Sequence, residues 1–305
     1  MGRFSLLFAL LALLLLGGCA APASQELPEP AISTRPEEAP PVTPAESEDS
    51  AAGEEGAVDL PEGNVAEGTT VEFTREMPVT VDGGRTLTLR LHCRAVASGY
   101  GTWDYGVGSM DVLEGDALLQ TLSVRDAIIA ADRQELEQLA GEGNAWAQES
   151  LENSTASEQL LYPLDGWTSC FEDLYLPSIG DLNFDGSEDI RLMIYLGTVN
   201  GRYLHWLWNL EAEQFQYAFL LVGYDLQIDT DARQLVTESR AAGYGVYETD
   251  YYQYDAEGAL RHIRNVEISP PDWEDAREGD FLTTVHEWVD GQWVQTQQTR
   301  STCQP

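Results

Sequence analysis

Val79-Thr80-Val81-Asp82-Gly83-Gly84-Arg85-Thr86-Leu87-Thr88-Leu89-Arg90-Leu91 decides the fold class. Apolar and polar residues alternate on both sides of a glycine pair. Successive side chains of a strand point to opposite faces, so this alternation buries one face and wets the other. Asp82-Gly83-Gly84 offers residues that tolerate the positive φ of a tight turn. The stretch reads as a β-hairpin, extended upstream by Thr70-Val71-Glu72-Phe73. Met110–Leu113 and Ala117–Leu122, on either side of Gly115, read as a second hairpin. Between Ser123 and Leu151 the composition turns to Ala, Leu, Ile, Glu and Gln, with Ile128, Ile129, Leu136 and Leu139 at helical spacing. This predicts one helical insertion near 123–151, broken at Gly141–Gly143.

After Cys170 the strand signals resume. They cover Asp189–Leu196, Tyr203–Asn209, Gln216–Val222, Gln234–Ser239, Gly245–Tyr254, Ala259–Ile268, Phe281–Val289 and Gln292–Thr299. Asp225–Asp231, Asp255–Gly258 and Asp290-Gly291 read as turns between them. The expected class is mainly β, an antiparallel β-rich domain built as a propeller-like array or a sandwich. No strict internal repeat supports a many-bladed propeller.

The N-terminus is a different material. Residues 1–18 place one Arg before a Leu/Ala/Phe run and end in Leu16-Gly17-Gly18, followed by Cys19. The run is short of the ~20 residues that span a bilayer, and the layout is that of a signal peptide. Its end resembles a bacterial lipobox, which implies cleavage before Cys19 and acylation of that residue. Residues 19–68 then carry eight of the fourteen prolines and twelve acids against one base. Such a segment cannot bury enough apolar surface to offset its ordering entropy, so it reads as a disordered tether. The expected product is an exported, membrane-anchored lipoprotein facing the periplasm or the cell surface. Its folded part divides into 69–168 and 169–305.

Charge limits the partners. The 305 residues hold 52 acids against 16 bases, a net charge of −36. All sixteen are Arg, because Lys is absent. Phosphate backbones repel such a chain, so nucleic acid is excluded as a partner and basic proteins or cations are favoured. Contact with a membrane is expected through the lipid anchor alone.

One motif carries specific chemistry. Asp181-Leu182-Asn183-Phe184-Asp185-Gly186-Ser187-Glu188-Asp189 has the pattern D-x-N-x-D-G-x-x-D. Calcium takes about six to eight oxygens at ~2.3–2.6 Å, and a tightly coiled loop supplies them from alternate positions. Asp181, Asn183, Asp185 and Asp189 are the candidate side-chain ligands, and Ser187 offers its carbonyl. Leu192 stands where an EF-hand has its bidentate Glu, and an aliphatic strand follows instead of a helix. The loop is thus a Ca2+ turn between β-elements. The alternative is a metal-free turn, because Asp, Asn and Gly favour turns in any case.

From Leu174 to Val222 the chain resembles calcium-binding lipoproteins related to lysozyme inhibitors, including immunity proteins against type IV secretion effectors. Asp-Leu-Asn-Phe-Asp-Gly and Tyr203-Leu204-His205-Trp206-Leu207-Trp208-Asn209 carry that resemblance, with Leu235–Gly245 and Tyr247–Tyr254 as similar stretches. It spans roughly 170–266. It implies a β-rich domain whose loops plug a glycosidase cleft, with a basic protein such as a lysozyme as partner. Ser239, Arg240, Tyr244 and Tyr247 are then the candidate partner-binding residues.

Catalytic signatures are missing. His92, His205, His262 and His286 show no metal-ligand spacing, and neither GxSxG nor a phosphate-binding glycine loop occurs. Cys93, Cys170 and Cys303 leave an odd thiol after lipidation, with pairing open. With so many acids, carboxylate pairs are unavoidable and single out no glycosidase site. The sequence favours a binding module over an enzyme. A structural or adhesion module stabilised by calcium is the alternative.

Overall fold

The computed structural model describes residues 60–61, 65–98, 101–141, 143–153, 167–168, 175–197, 199–241, 245–270 and 281–301. Among them fourteen strands form three antiparallel sheets, and no barrel is closed. Sheet one holds β1 (Thr70–Val81), β2 (Arg85–Ala97), β3 (Trp103–Glu114) and β4 (Ala117–Ser123). Two helices follow, α1 (Val124–Gly141) and α2 (Ala145–Asn153). Sheet two holds β5 (Ser178–Gly180), β6 (Asp189–Leu196), β7 (Gly201–Asn209) and β8 (Gln214–Gly223). Sheet three holds β9 (Asp225–Asp229), β10 (Gln234–Ala241), β11 (Val246–Tyr254), β12 (Leu260–Ser269), β13 (Phe281–Val289) and β14 (Gln292–Ser301). Each sheet is a meander in which chain neighbours are hydrogen-bonded neighbours.

The opening hairpin forms as its alternation dictates. Val81 pairs with Arg85 around Asp82, Gly83 and Gly84, all at positive φ. Leu87, Leu89, Leu91, Cys93 and Ala95 of β2 are buried on one face. Each buried Leu contributes about 1.5–3 kcal/mol. Pro78 sits in β1, an edge strand, where a missing N–H interrupts no inner ladder.

Ser123 caps α1 through its Oγ, which accepts the Asp126 N–H at 3.2 Å, and Asn144 caps α2 through Oδ1 on the Ala147 N–H at 3.2 Å. Between them Gly143 takes φ 89°. The bonds Gly143 N–H to Ala140 and Asn144 N–H to Leu139 close a Schellman end, which is the physical basis of the expected break.

One core joins the first two sheets and α1. It contains Leu87, Leu89, Val107 and Met110 from sheet one, Ala127, Ile128 and Ala131 from α1, and Ile190, Leu192, Leu204, Trp206 and Phe215 from sheet two. The division at residues 168/169 therefore runs through a shared core. Polar clamps add to it. The Gln120 amide donates to the Phe215 carbonyl at 2.7 Å and accepts its N–H at 3.0 Å, occupying the outer edge of β8. Arg202 of β7 reaches Glu135 of α1 at 2.9 Å.

A second core lies between sheets two and three: Leu182, Phe219, Leu221 and Leu235, with Phe184, Tyr252, Tyr254 and Leu260 against it. The chain passes from β8 to β9 through Tyr224 alone, whose N–H donates to the Glu238 carbonyl at 2.8 Å. The expected turn at 225–231 is thus corrected. Asp225–Asp229 is a strand, paired from Asp225↔Glu238 to Asp229↔Gln234. Its alternating Leu226 and Ile228 carried the strand signal, masked by three acids over Asp225–Asp231.

Two positions make the packing testable. A Cβ on Gly106 would stand 2.1 Å from the Thr168 carbonyl oxygen, where Val107 already bonds both ways to Thr168. Gly106→Ala is expected to lower stability by about 1–3 kcal/mol in a thermal melt. His205 is fully buried, and burial followed by the nearby Arg191 charge pushes its pKa down to about 3. The unfolded chain binds that proton below about pH 6.5, whereas the folded chain resists it. This contribution is complete above about pH 6.5 and falls away toward pH 3. Denaturant titrations should show a slope of up to about 1.4 kcal/mol per pH unit across that window, flattened in His205→Gln.

Candidate metal centre

The Asp181–Glu188 loop joins β5 to β6 and coils tightly. Phe184 takes φ 62° and Gly186 φ 90°. No atom lies within 4 Å of a Cβ built on Gly186, so glycine serves the backbone conformation there, not the space. The Asp185 N–H is shared by Asp181 Oδ1 at 3.0 Å and Asn183 Oδ1 at 3.1 Å. Gly186 N–H donates to Asp181 Oδ2 at 2.9 Å, and Ser187 N–H to Asp185 Oδ1 at 2.8 Å. Asn183 Nδ2 donates to Asp185 Oδ2 at 2.8 Å. These bonds gather the oxygens of Asp181, Asn183 and Asp185 around the turns of one short coil.

Asp189 has a different part. Its side chain is completely buried. Oδ1 accepts the Trp208 N–H at 2.8 Å and Oδ2 accepts the Leu182 N–H at 2.8 Å. Burial pushes its pKa up to about 7, the two N–H bonds oppose that, and the charges of Asp185 and Asp181 add to it. Asp189 therefore closes the loop onto β7, leaving one lone pair on each oxygen for any further partner.

The loop also reaches the other sheets. Glu188 N–H donates to the Thr80 carbonyl at 2.8 Å, and the Thr80 N–H donates back to the Glu188 carboxylate. Asp82 accepts Trp208 Nε1 at 2.7 Å and donates its own N–H to Ser187 Oγ at 3.4 Å. From sheet three, Arg233 donates to the Phe184 carbonyl at 3.1 Å and stands 5.4 Å over the Phe184 ring. Leu182 fills the second core.

Among the described residues no three His, Cys, Asp or Glu side chains form a group ready to hold a metal. The loop offers two such carboxylates, an amide oxygen, the Ser187 carbonyl and the inward Asp189. This is an all-oxygen donor set of the type calcium takes. The Tyr254 hydroxyl feels the charge of the same carboxylates. It is buried with no hydrogen-bond partner among the described residues, and burial, then Asp189, Asp185 and Asp181, raise its pKa. A cation in the coil would offset that field. The donor chemistry is of the kind the ion takes, and Asp181, Asn183 and Asp185 would be its side-chain holders.

The partner-binding candidates separate. Ser239 is buried, its Oγ donating to Glu248 Oε2 at 3.4 Å. Arg240 is exposed, with its guanidinium 5.4 Å over Tyr224 and 5.3 Å over Tyr247. Its backbone is held at both ends by the Asn200 amide, each bond 3.0 Å. Tyr247 is half-buried. Tyr244, Cys19, Cys170 and Cys303 lie outside the described residues. Cys93 is a free buried thiol whose pKa burial pushes up to about 12. His92 pairs with Asp111 at 2.8 Å and His262 with Asp250 at 2.8 Å.

Sequence reading missed Thr80, Asp82 and Trp208 as loop neighbours, since their contacts cross more than a hundred residues or run through backbone atoms. Comparison with protein-family models, curated proteins and solved structures finds no match.

Two substitutions separate loop closure from ion holding. Asp189→Asn turns one acceptor into a donor facing an N–H, and is expected to cost about 1–3 kcal/mol with or without calcium. Asp185→Ala leaves both Asp189 bonds in place and is expected to lose mainly the calcium-dependent part. Thermal melts with calcium and with chelator distinguish the two.

Proposed function

We propose that this chain is an exported lipoprotein, anchored at Cys19, whose calcium loop locks a three-sheet β-domain that works as a non-catalytic binding module. The observation that carries the reading is the 181–189 loop. Its oxygens gather in one coil, and its flanks bond to sheets one, two and three. An ion held there would stabilise the junction between sheets and act at a distance from any partner. The tether of residues 19–68 would hold that domain away from the membrane.

Calcium added to the chain lacking residues 1–19 should bind saturably in calorimetry and raise the melting temperature. Asp185→Ala should abolish both effects. Absence of binding at millimolar calcium would reduce the motif to a turn.

The partner follows from charge. An acidic domain suits a basic protein, and the resemblance to lysozyme inhibitors names a muramidase as the first to try. Arg240, braced between Tyr224 and Tyr247 on the surface, is the described residue of the 239–247 segment best placed for contact. The chain is expected to slow cell-wall lysis by a basic lysozyme, less so at high salt, with Arg240→Ala weakening the effect. An unchanged lysis rate at excess protein would remove the lysozyme reading and leave the metal reading intact.

A further inference from the structure

Sheet three carries a row of rings that extends beyond the second core. Tyr252 and His262 are register partners on β11 and β12, stacked at 4.8 Å with planes 25° apart. His262 meets Trp293 of β14 at 4.6 Å, and Trp293 meets its register partner Trp288 of β13 at 5.7 Å. The row begins in the second core, against which Tyr252 packs. It ends in solvent, with Trp288 47 % and Trp293 40 % exposed. Two adjacent indoles this open carry a cost in water that the fold does not recover.

The row is rigid. Trp288 and Trp293 flank a two-residue turn, Asp290-Gly291, with φ 51° and 82°, the tightest way to join two strands. His262 is fixed from two sides, by the Tyr252 ring and by Asp250 at 2.8 Å. Asp250 also accepts Asn265 Nδ2 at 2.8 Å. Rings held this way lose little freedom when a ligand stacks on them.

The surroundings select the ligand. Beside Trp293, β14 carries four Gln and two Thr, and Arg300 is its one charged residue. Gln295 is the register partner of His286 and lies two residues from Trp293, hence on the same face. These are neutral hydrogen-bonding groups beside aromatic faces. Asp250 and Glu267 on the neighbouring strands, and the chain's charge of −36, repel anions. A pyranose matches both properties: C–H groups on its ring face for an indole, hydroxyls at its edge for amides and carboxylates.

We propose that the Trp288–Trp293 end of this row is a binding platform for neutral glycans. The two indole planes meet at 68°, so they form a corner, not a flat shelf. A corner takes a single sugar ring or a curved chain, and no flat extended chain covers both rings. The platform draws on no atom of the 181–189 loop, so it stands or falls apart from calcium.

The test uses the chain lacking residues 1–19, with maltoheptaose, cellohexaose and N-acetylchitohexaose as neutral probes and polygalacturonate as the anionic one. Tryptophan fluorescence and calorimetry read binding. At least one neutral oligosaccharide should bind, with polygalacturonate silent. Trp293→Ala and Trp288→Ala should each weaken binding about tenfold or more at an unchanged melting temperature. Gln295→Ala, which removes no ring, should weaken it less and serves if a Trp variant misfolds. Binding should persist in Asp185→Ala. No binding at millimolar sugar would overturn the proposal, as would binding that survives loss of both indoles. Self-association abolished by Trp293→Ala, without sugar binding, would also overturn it and assign the patch to a second copy of the chain.

Discussion

The structure turns on one buried carboxylate. Asp189 stands with no exposure to water at the first residue of β6, and each oxygen accepts a backbone N–H, one from the loop before it and one from β7. Burying a carboxylate is costly unless it is hydrogen-bonded, and these two bonds are what makes the position tolerable. They fix where the chain enters sheet two and how the 181–188 loop lies against it. Glu188, the next residue back, then bonds to Thr80 in both directions and ties sheet one to the same spot. Burial still pushes the Asp189 pKa up to about 7 against these two bonds. A cation nearby would relieve it.

The three sheets depend on few connections for their mutual placement. Sheets one and two share an apolar core, which is strong but tolerant of sliding. Directional groups remove the freedom that apolar contact leaves: Gln120 on the edge of β8, Arg202 on α1, and the loop on the first hairpin. Sheets two and three are joined in the chain through a single residue, Tyr224, and in space by a smaller core and the Asn200–Arg240 and Arg233–Phe184 bonds. Gly223 is required there, since a Cβ would meet the Glu238 carbonyl oxygen at 2.7 Å. Sheet three then extends to β14, whose side chains are exposed along nearly its whole length. The stabilised part of the molecule lies around the loop, and the open part lies at the far edge.

That asymmetry suits a binding module. The acids that repel one another are gathered where an ion can compensate them, and the exposed rings stand on strands without a core of their own. The proposed metal and glycan sites occupy opposite ends of the path from the loop to the sheet edge. Stability and recognition would then be adjusted by different residues.

The sequence by itself determined most of the strands, the helical insertion and the loop; β5 and the Trp103–Ser109 part of β3 carried no expected strand. Period-two alternation in β2, the Gly-rich turn at 82–84 and the Asp/Asn/Gly spacing at 181–186 are local, and local geometry is what a sequence pattern encodes. It understated β9, because three acids between 225 and 231 outweighed Leu226 and Ile228 until pairing with β10 was available. The coiling of Asp181, Asn183 and Asp185 into one loop was legible. The closing role of Asp189 was not, since the Trp208 N–H that occupies it lies nineteen residues away on another strand. Ser239 and Arg240 are adjacent in the chain, yet one faces the protein and the other the solvent, a choice made by the register of β10 with β11. Only the tertiary structure decided that Trp288, Trp293, His262 and Tyr252 form one row. Their contacts arise across four strands, and the distance between residues on different strands is set by register and twist, not by their separation along the chain.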